Sequence, residues 1–414
     1  MEQKKKGLNI SAKSFIGALA VILVLMIVSY ILTFLIPSGL YARITDANGD
    51  KVVDTSVAFR YVEGGIPFWK WLLSPILVLG AEGGSTIIGI LVFLFVIGGI
   101  FTGLEACGIT ETLLRKIVCV FGRSKYHLMA VIILFFMLLG SLIGTYEECV
   151  PLVPLVVGVA ISLNWDAFTG LGMSILAAGF GFAAGVFNPF TVGVAQGLAR
   201  VPMFSGAWLR IVSFVLIYGL LFFFIIKYAK KTERARGEKM PIAAEEEPVK
   251  GSVKIFLSGF FKGIVSVLPV IPMILMASSI RYILEEARIL DTILHYAVVS
   301  ADKLPEWSII LFVYLIVLVM NFFIASGSAK AFLLIPLVVP MAQMFGVSAQ
   351  LCVLAFAFGD GFSNTFYPTN PVLLISLGLA DVSYGTWVKR TWKLQIATIL
   401  LTSCILLLGL VIGY

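Results

Sequence analysis

The chain has 414 residues, of which 60% are hydrophobic and 13% charged, with mean hydropathy +1.03. Apolar residues make up only about half of a soluble domain, so this composition excludes an ordinary soluble enzyme and describes an all-α polytopic membrane protein. Strand-length alternation, the mark of an outer-membrane barrel, is missing, and the +7 net charge is read as basic cytoplasmic loops rather than a nucleic-acid surface.

In chain order, Met1 to Lys13 is a basic tail with Lys4, Lys5 and Lys6, which places the N-terminus in the cytoplasm. The apolar run Phe15 to Ile36 is near the ~20 residues that cross a bilayer. It predicts a retained membrane helix, because no small-x-small cleavage site follows. Residues 38 to 65 are polar, with turn chemistry at Asp46, Asn48, Gly49 and Asp50, and an amphipathic stretch from Phe68 to Leu79 follows; together they predict an external surface loop. A helix over about Ser85 to Ala106 returns to a basic loop holding Arg115, Lys116, Arg123 and Lys125.

Leu128 to Ile143 ends in Gly144-Thr-Tyr-Glu-Glu148, and a second apolar run spans Val150 to Leu163. Each is short for a full crossing and the break carries two acids, which predicts a re-entrant hairpin entering from the cytoplasm. Residues 167 to 200 predict a helix interrupted at Gly185-Val-Phe-Asn-Pro189, where proline removes a backbone donor. Ser205 to Lys227 leads back inside to a charged linker, Ala229 to Lys250. Ile255 to Ser279 then exits, and Arg281 to Lys303 reads as polar and external. A second hairpin runs from Ile309 to Ile324 and from Ala331 to Met344 around Ala325-Ser-Gly-Ser-Ala-Lys330. A second interrupted helix, Ala349 to Leu379, breaks around Ser363 to Pro371, and Lys389, Arg390 and Lys393 precede the last helix.

The expected organisation is therefore N-terminal scaffold helices (1–125), a first hairpin and broken helix (126–200), a scaffold helix (201–228) and a cytoplasmic linker (229–250). Further scaffold helices (251–304), a second hairpin and broken helix (305–380) and a C-terminal helix (381–414) complete it. The two hairpin units are copies. Pro154-Leu-Val-Val-Gly-Val-Ala160 reappears 182 positions later as Pro336-Leu-Val-Val-Pro-Met-Ala342, and Asn188-Pro189 as Asn370-Pro371. Gly179-Phe-Gly-Phe-Ala183 answers Gly359-Asp-Gly-Phe-Ser363. The threading puts about nineteen Lys and Arg in cytoplasmic segments and about nine outside, with Lys262 and Lys330 in the membrane, the bias expected of cytoplasmic loops. It also makes the second hairpin enter from outside, so the repeats are inverted. Inverted repeats with broken helices are the architecture of a secondary transporter whose site lies at the midplane.

Candidate site residues follow from polar groups in this apolar context. Thr145, Glu147 and Glu148 lie at the first tip, Ser326, Ser328 and Lys330 at the second, and Asn188, Asp360 and Asn370 in the broken helices; these are the substrate-binding candidates. Ionised groups in the membrane are costly and mark function by default. The competing structural readings are helix capping for the acids, a lysine reaching for the surface, and asparagines that satisfy carbonyls freed by proline. Lys330 stands where Glu148 stands in the first copy, so the two are candidates for an ion pair or for opposite ends of an amino acid. Gly144, Thr145, Asn188, Ser363, Asn364 and Thr365 offer oxygens suited to a hard coupling cation, with Thr191, Tyr367 and Thr369 as further contributors. Na⁺ or H⁺ is the expected coupling ion, with no other cofactor and no bound metal. The five cysteines are scattered without metal spacing. No Walker A, GxSxG or HExxH motif appears, which gives no support to ATP drive or hydrolysis. Three acids against one lysine favour a cationic solute, such as a basic amino acid. A dicarboxylate, another amino acid or a short peptide, coupled to Na⁺ or H⁺, is the alternative.

Gly144-Thr-Tyr-Glu-Glu148, Asn188-Pro-Phe-Thr-Val-Gly193, Asn321-Phe-Phe-Ile-Ala-Ser-Gly-Ser328 and Phe358-Gly-Asp-Gly-Phe-Ser-Asn364 together resemble the YfcC group of bacterial permeases. That group stands with basic amino acid antiporters and DcuC-type C4-dicarboxylate carriers in the ion transporter superfamily. The resemblance implies an inner-membrane carrier of a small amino acid or carboxylate, with a scaffold and a moving transport domain, an elevator mechanism and a homodimeric assembly. Tyr146 and Lys330 depart from the family pattern at the tips themselves.

Overall fold

The computed structural model describes residues 12–45, 51–54, 56–81, 84–109, 112, 116, 119–120, 124–236, 252–268 and 270–414. The N-terminal lysines, the turn at 46–50, Arg115, Arg123 and most of the charged linker lie outside the described residues. Apolar runs in this chain become helices because a backbone in hydrocarbon must satisfy its own N–H and C=O groups. Six of the described helical spans are long and apolar enough to cross a membrane: Lys125–Ile143, Ala167–Leu198, Ala207–Ala235, Glu306–Phe323, Gly327–Met344 and Tyr384–Val411. The first helix is Ala12–Leu35, and Gly84–Ala106 follows the amphipathic Phe68–Leu77.

Two helix–break–helix units appear in each half. In the first half, Lys125–Leu138 continues as a π-helical turn to Ile143, breaks, and resumes at Glu147 to run to Ser162. The next helix runs from Ala167 to Ala184 and resumes at Pro189 to end at Leu198. In the second half the counterparts are Ile309–Phe323 with Gly327–Met344, and Ala349–Gly361 with Pro371–Leu379.

The broken helices form the centre of the molecule. The apolar window of Ala167–Leu198 is 94% buried, against 39–56% for the other five spans. In the second broken helix every residue of Ala349–Gly361 except Gln350 is buried. Ala207–Arg236 and Tyr384–Val411 pack on this centre and leave outward faces, including Val215, Phe223, Leu400 and Leu408, exposed for lipid. Residues 201–228 are expected with the scaffold, and their helix touches the first hairpin unit: Tyr218 donates to the Ala130 carbonyl at 3.2 Å and the Tyr228 ring lies 4.5 Å from Phe168. An apolar run does not encode which neighbour its faces meet.

A second body comprises Ala12–Leu35, Phe68–Leu77, Gly84–Ala106, Val253–Val267 and Val270–Glu286. Gly84–Ala106 and Val253–Val267 approach backbone to backbone through Gly99, Gly103, Gly259 and Gly263; a Cβ on Gly263 would stand 2.3 Å from the Gly98 carbonyl oxygen. Small residues permit the close packing that associates helices in lipid.

The structure adds local detail to three further segments. Ile255 to Ser279 is covered by two helices, Val253–Val267 and Val270–Glu286. Arg281 to Lys303 is helical in most of its length, as the end of Val270–Glu286 and then Leu290–Ser300. Residues 38–61, expected as loop, contain two short antiparallel ladders, Gly39–Leu40 with Arg60–Tyr61 and Arg43–Thr45 with Lys51–Val53. They are fastened to Leu290–Ser300 by Asp291, which accepts from the Tyr41 amide at 3.0 Å and from Arg43 at 2.9 Å, and by Phe59 stacked 4.0 Å from His295.

Candidate functional site

The two Asn-Pro pairs start the second halves of the broken helices. Asn188 Oδ1 accepts from the amides of Phe190 (2.9 Å) and Thr191 (3.3 Å), and Asn370 Oδ1 from Val372 (2.9 Å). Each asparagine is thus an N-cap and each proline fills the first helical position, where its missing donor costs nothing. The expected satisfaction of freed carbonyls falls in the first break to Arg210 instead, whose Nε donates to the Val186 carbonyl at 3.1 Å. Arg210, which the sequence reading does not single out, is fully buried. Its position inside the run Ala207-Trp-Leu-Arg-Ile-Val212 was the available signal, since a charge in such a run is functional by default. Ser141 completes the frame: its hydroxyl accepts from Val186 N at 3.0 Å and its carbonyl from Phe187 N at 3.1 Å.

The first hairpin tip meets this break. The π turn ends at Gly144 with φ +81, and a Cβ there would lie 2.3 Å from Asn188 Oδ1, so both handedness and closeness require glycine. Thr145 Oγ1 is buried with no protein partner. Tyr146 is buried and donates to the Asn364 carbonyl at 3.3 Å, tying the first tip to the second break. Glu147 and Glu148 are exposed at the start of the helical turn Glu147–Leu152, and Glu147 lies within electrostatic reach of Glu148 and Asp360.

At the second tip Ser326 is exposed and Ser328 half-buried. Lys330 is fully buried. Its ammonium donates to Asn321 Oδ1, to the Ile324 carbonyl at 3.0 Å and to Asp360 Oδ1 at 2.6 Å, which accounts for all three of its protons. The ion pair Lys330 makes is therefore with Asp360, and neither the surface-seeking lysine nor the pair with Glu148 is formed. Asp360 Oδ2 has no partner and faces Gly327 and Thr191: a Cβ on Gly327 would come within 2.4 Å of both Asp360 Oδ2 and Thr191 Cγ2.

Ser363, Asn364 and Thr365 are buried and bonded within the protein. Ser363 donates to the Gly359 carbonyl at 2.8 Å, Asn364 to the Asp360 carbonyl at 2.7 Å and Thr365 to the Phe362 carbonyl at 2.6 Å. The Asn321 amide reaches Ser363 Oγ (2.6 Å) and Asn364 Oδ1 (3.0 Å), so Asn321 joins the second hairpin to the second break. Asn321 stood in the sequence only as part of a motif. Tyr367 donates to the Leu318 carbonyl at 3.2 Å, while Thr191 Oγ1 and Thr369 Oγ1 are buried without partners.

The repeated Gly-x-Gly of the broken helices makes the same two kinds of contact in each copy, with the two glycines exchanging roles between copies. One glycine of each pair faces its own hairpin: a Cβ on Gly181 would be 2.1 Å from the Met137 carbonyl oxygen, and one on Gly359 2.6 Å from Val317 Cγ1. The other faces the opposite repeat, Gly179 against Thr365 and Gly361 against Ala183. The structure thus brings Gly144, Thr145, Asn188, Thr191, Gly327 and Asp360 into one contiguous junction of both tips and the first break. Tyr146 extends it to Asn364. Chemically it offers carboxylates, hydroxyls and an amide from different elements, a set suited to holding a small polar or charged solute rather than to attacking one.

Comparison with known proteins agrees with this architecture. The chain is 28% identical to an Escherichia coli (strain K12) protein named "Putative basic amino acid antiporter YfcC", over 81% of this chain and 80% of that one. It is 22% identical to an uncharacterized Haemophilus influenzae protein over 98% of this chain and 97% of that one. In structure it is similar to the Alcanivorax borkumensis YdaH transporter, with a TM-score of 0.50 and 16% identity over 96% of this chain and 99% of the other, a likeness of fold. The family of C4-dicarboxylate anaerobic carriers, DcuC, matches residues 16–279 and 242–412. The chain belongs to this DcuC family and is a multi-pass membrane transporter rather than an enzyme.

Proposed function

We propose that the protein is a secondary exchanger of basic amino acids in a bacterial cytoplasmic membrane, of the arginine-for-ornithine kind. The charge balance at the junction carries this reading. Asp360 is matched by Lys330 within the protein, whereas Glu147 and Glu148 remain exposed at the first tip. Two accessible carboxylates in an apolar setting call for a cationic guest. The name of the Escherichia coli relative points the same way.

The mechanism we infer is alternating access of elevator type, with the two hairpins re-entrant from opposite sides. Contacts at the two ends of the molecule support it. Lys125, at the start of the first hairpin, pairs with Glu233, and Asp166, just beyond its end, accepts from Tyr228 at 2.8 Å and Arg390 at 3.2 Å. All three partners lie near Lys227, Lys230, Lys231 and Arg234, a basic end that belongs in the cytoplasm together with the N-terminus. The second hairpin leads instead to Ser348, which donates to the Tyr414 carbonyl beyond the opposite end of the last helix.

The test is counterflow in proteoliposomes preloaded with arginine, ornithine, malate or alanine. Arginine entry driven by internal arginine or ornithine without sodium is expected, and Glu148→Gln should reduce it about tenfold or more, the worth of one charged hydrogen bond. A second reading has its own observation. Thr145 Oγ1, Thr191 Oγ1 and Asp360 Oδ2 are buried oxygens without partners, the type of donor a hard cation takes. In that reading the carrier takes up a dicarboxylate or another amino acid with Na⁺ or H⁺, as the family's description suggests. Glu148→Gln would then change only the ion dependence. Sodium-dependent malate or alanine transport with no arginine exchange would replace the first reading by the second.

A further inference from the structure

The second tip carries a cation of its own. Three oxygens of different chemical kinds converge on one buried point: the amide oxygen of Asn321, the carbonyl of Ile324 and the carboxylate of Asp360. Ile324 is the C-cap of Ile309–Phe323, where helix carbonyls lack intrahelical partners and carry partial negative charge. Amide, carbonyl and carboxylate oxygens are also the donors of hard-cation sites. The Lys330 Nζ occupies their common focus.

The first repeat is built differently. At the 182-residue offset Glu148 stands for Lys330 and Leu139 for Asn321, and in the Gly-x-Gly alignment Phe180 stands for Asp360. That tip therefore holds neither the ammonium nor two of its three oxygen donors. Its polar atoms Thr145 Oγ1 and Thr191 Oγ1 have no protein partner. One half has a fixed internal cation, the other open polar groups and free acids.

We propose that Lys330 is a tethered cation, its ammonium holding the position that a free small monovalent cation would otherwise fill in the second repeat. The inference takes its meaning from the transporter reading. The second tip then contributes no free coupling cation of its own, and any coupling ion sits where the first tip meets Asp360 Oδ2. It follows that deleting the ammonium uncovers a latent sodium site made of Asn321, Ile324 and Asp360, completed by Asp360 Oδ2 beside Gly327.

The test uses the full-length protein in detergent and sodium itself as the probe. Unfolding temperature is followed in sodium chloride against choline chloride at matched ionic strength for the wild type, Lys330→Ser, Lys330→Ala and the double variant Lys330→Ser with Asp360→Asn. The wild type sets the baseline, including any sodium response of the first tip. Lys330→Ser should gain an additional saturable, sodium-specific rise of about 5 °C, and the double variant should lose that gain. Variants that respond to sodium no more than the wild type overturn the proposal. So does failure of both Lys330→Ser and Lys330→Ala to be recovered folded at saturating sodium, since a free cation would then not replace the ammonium. Transport is not the readout, so a failure of the exchanger reading in counterflow and a failure of the tethered cation are distinguishable.

Discussion

Arg210 shows what a single side chain does for the breaks. Its guanidinium donates to Val186 O at 3.1 Å and to Phe204 O at 3.2 Å, joining the end of one half-helix to the turn that starts the next long helix. Hydrogen bonds to charged groups contribute about 1.5 to 3 kcal/mol each, and the Val186 carbonyl would be left buried without its partner. Arg210→Met is therefore expected to lower the unfolding temperature markedly. Arg210→Lys should recover only part of the loss, because a single ammonium on a flexible stem does not reproduce the rigid fork. Thermal unfolding followed by intrinsic fluorescence checks both; equal stability of all three proteins would refute the role. Residues at this scale differed in how openly the sequence showed them. Asn188 and Asn370 stood out because a proline follows each, and proline fixes where a helix restarts. Lys330 stood out as a charge, but its partner did not, because Asp360 lies 30 residues away and only the tertiary fold joins them.

At the scale of elements, the breaks were legible and the joints between polar segments were not. Prolines, glycines and charges inside apolar runs marked all four interruptions at 144–146, 185–188, 324–326 and 366–370. The short strands near residues 39–61 carry no such mark, since segments of two or three residues are held by docking on Asp291 and His295 rather than by their own pattern. The crossing of the broken helices was visible only as repeated glycines, and the structure supplies the reason. A Cβ on Gly361 would stand 2.1 Å from Ala183 Cα, a backbone atom that can move only with its helix. Overpacking of this kind costs about 1 to 3 kcal/mol or more. Gly361→Ala should thus lower the unfolding temperature, whereas Gly197→Ala, where nothing lies within 4 Å of the added carbon, should not. A neutral Gly361→Ala would show that the two broken helices do not cross so closely.

For the whole molecule, the decisive property is which side of the membrane each hairpin meets. Length and hydropathy alone do not separate a re-entrant hairpin from two crossings, because Lys125–Ile143, Glu306–Phe323 and Gly327–Met344 are each 18 or 19 residues long. The proposed topology rests on contacts instead: both ends of the first hairpin adjoin groups at the basic end of Ala207–Arg236, while the second hairpin leads to the opposite end. If the repeats are inverted, the two ends of one hairpin share a side and the two hairpins take opposite sides. Cysteines placed singly at Lys125, Ser162, Glu306 and Met344, in a protein stripped of its five native cysteines, make this measurable with a membrane-impermeant maleimide. Glu306→Cys and Met344→Cys should label in intact cells; Lys125→Cys and Ser162→Cys should label only after the membrane is opened. Labelling of one end of a hairpin without the other would make that hairpin a pair of ordinary crossings. The tips would then not meet at the midplane in opposite orientations, and an elevator built on their symmetry would have no basis.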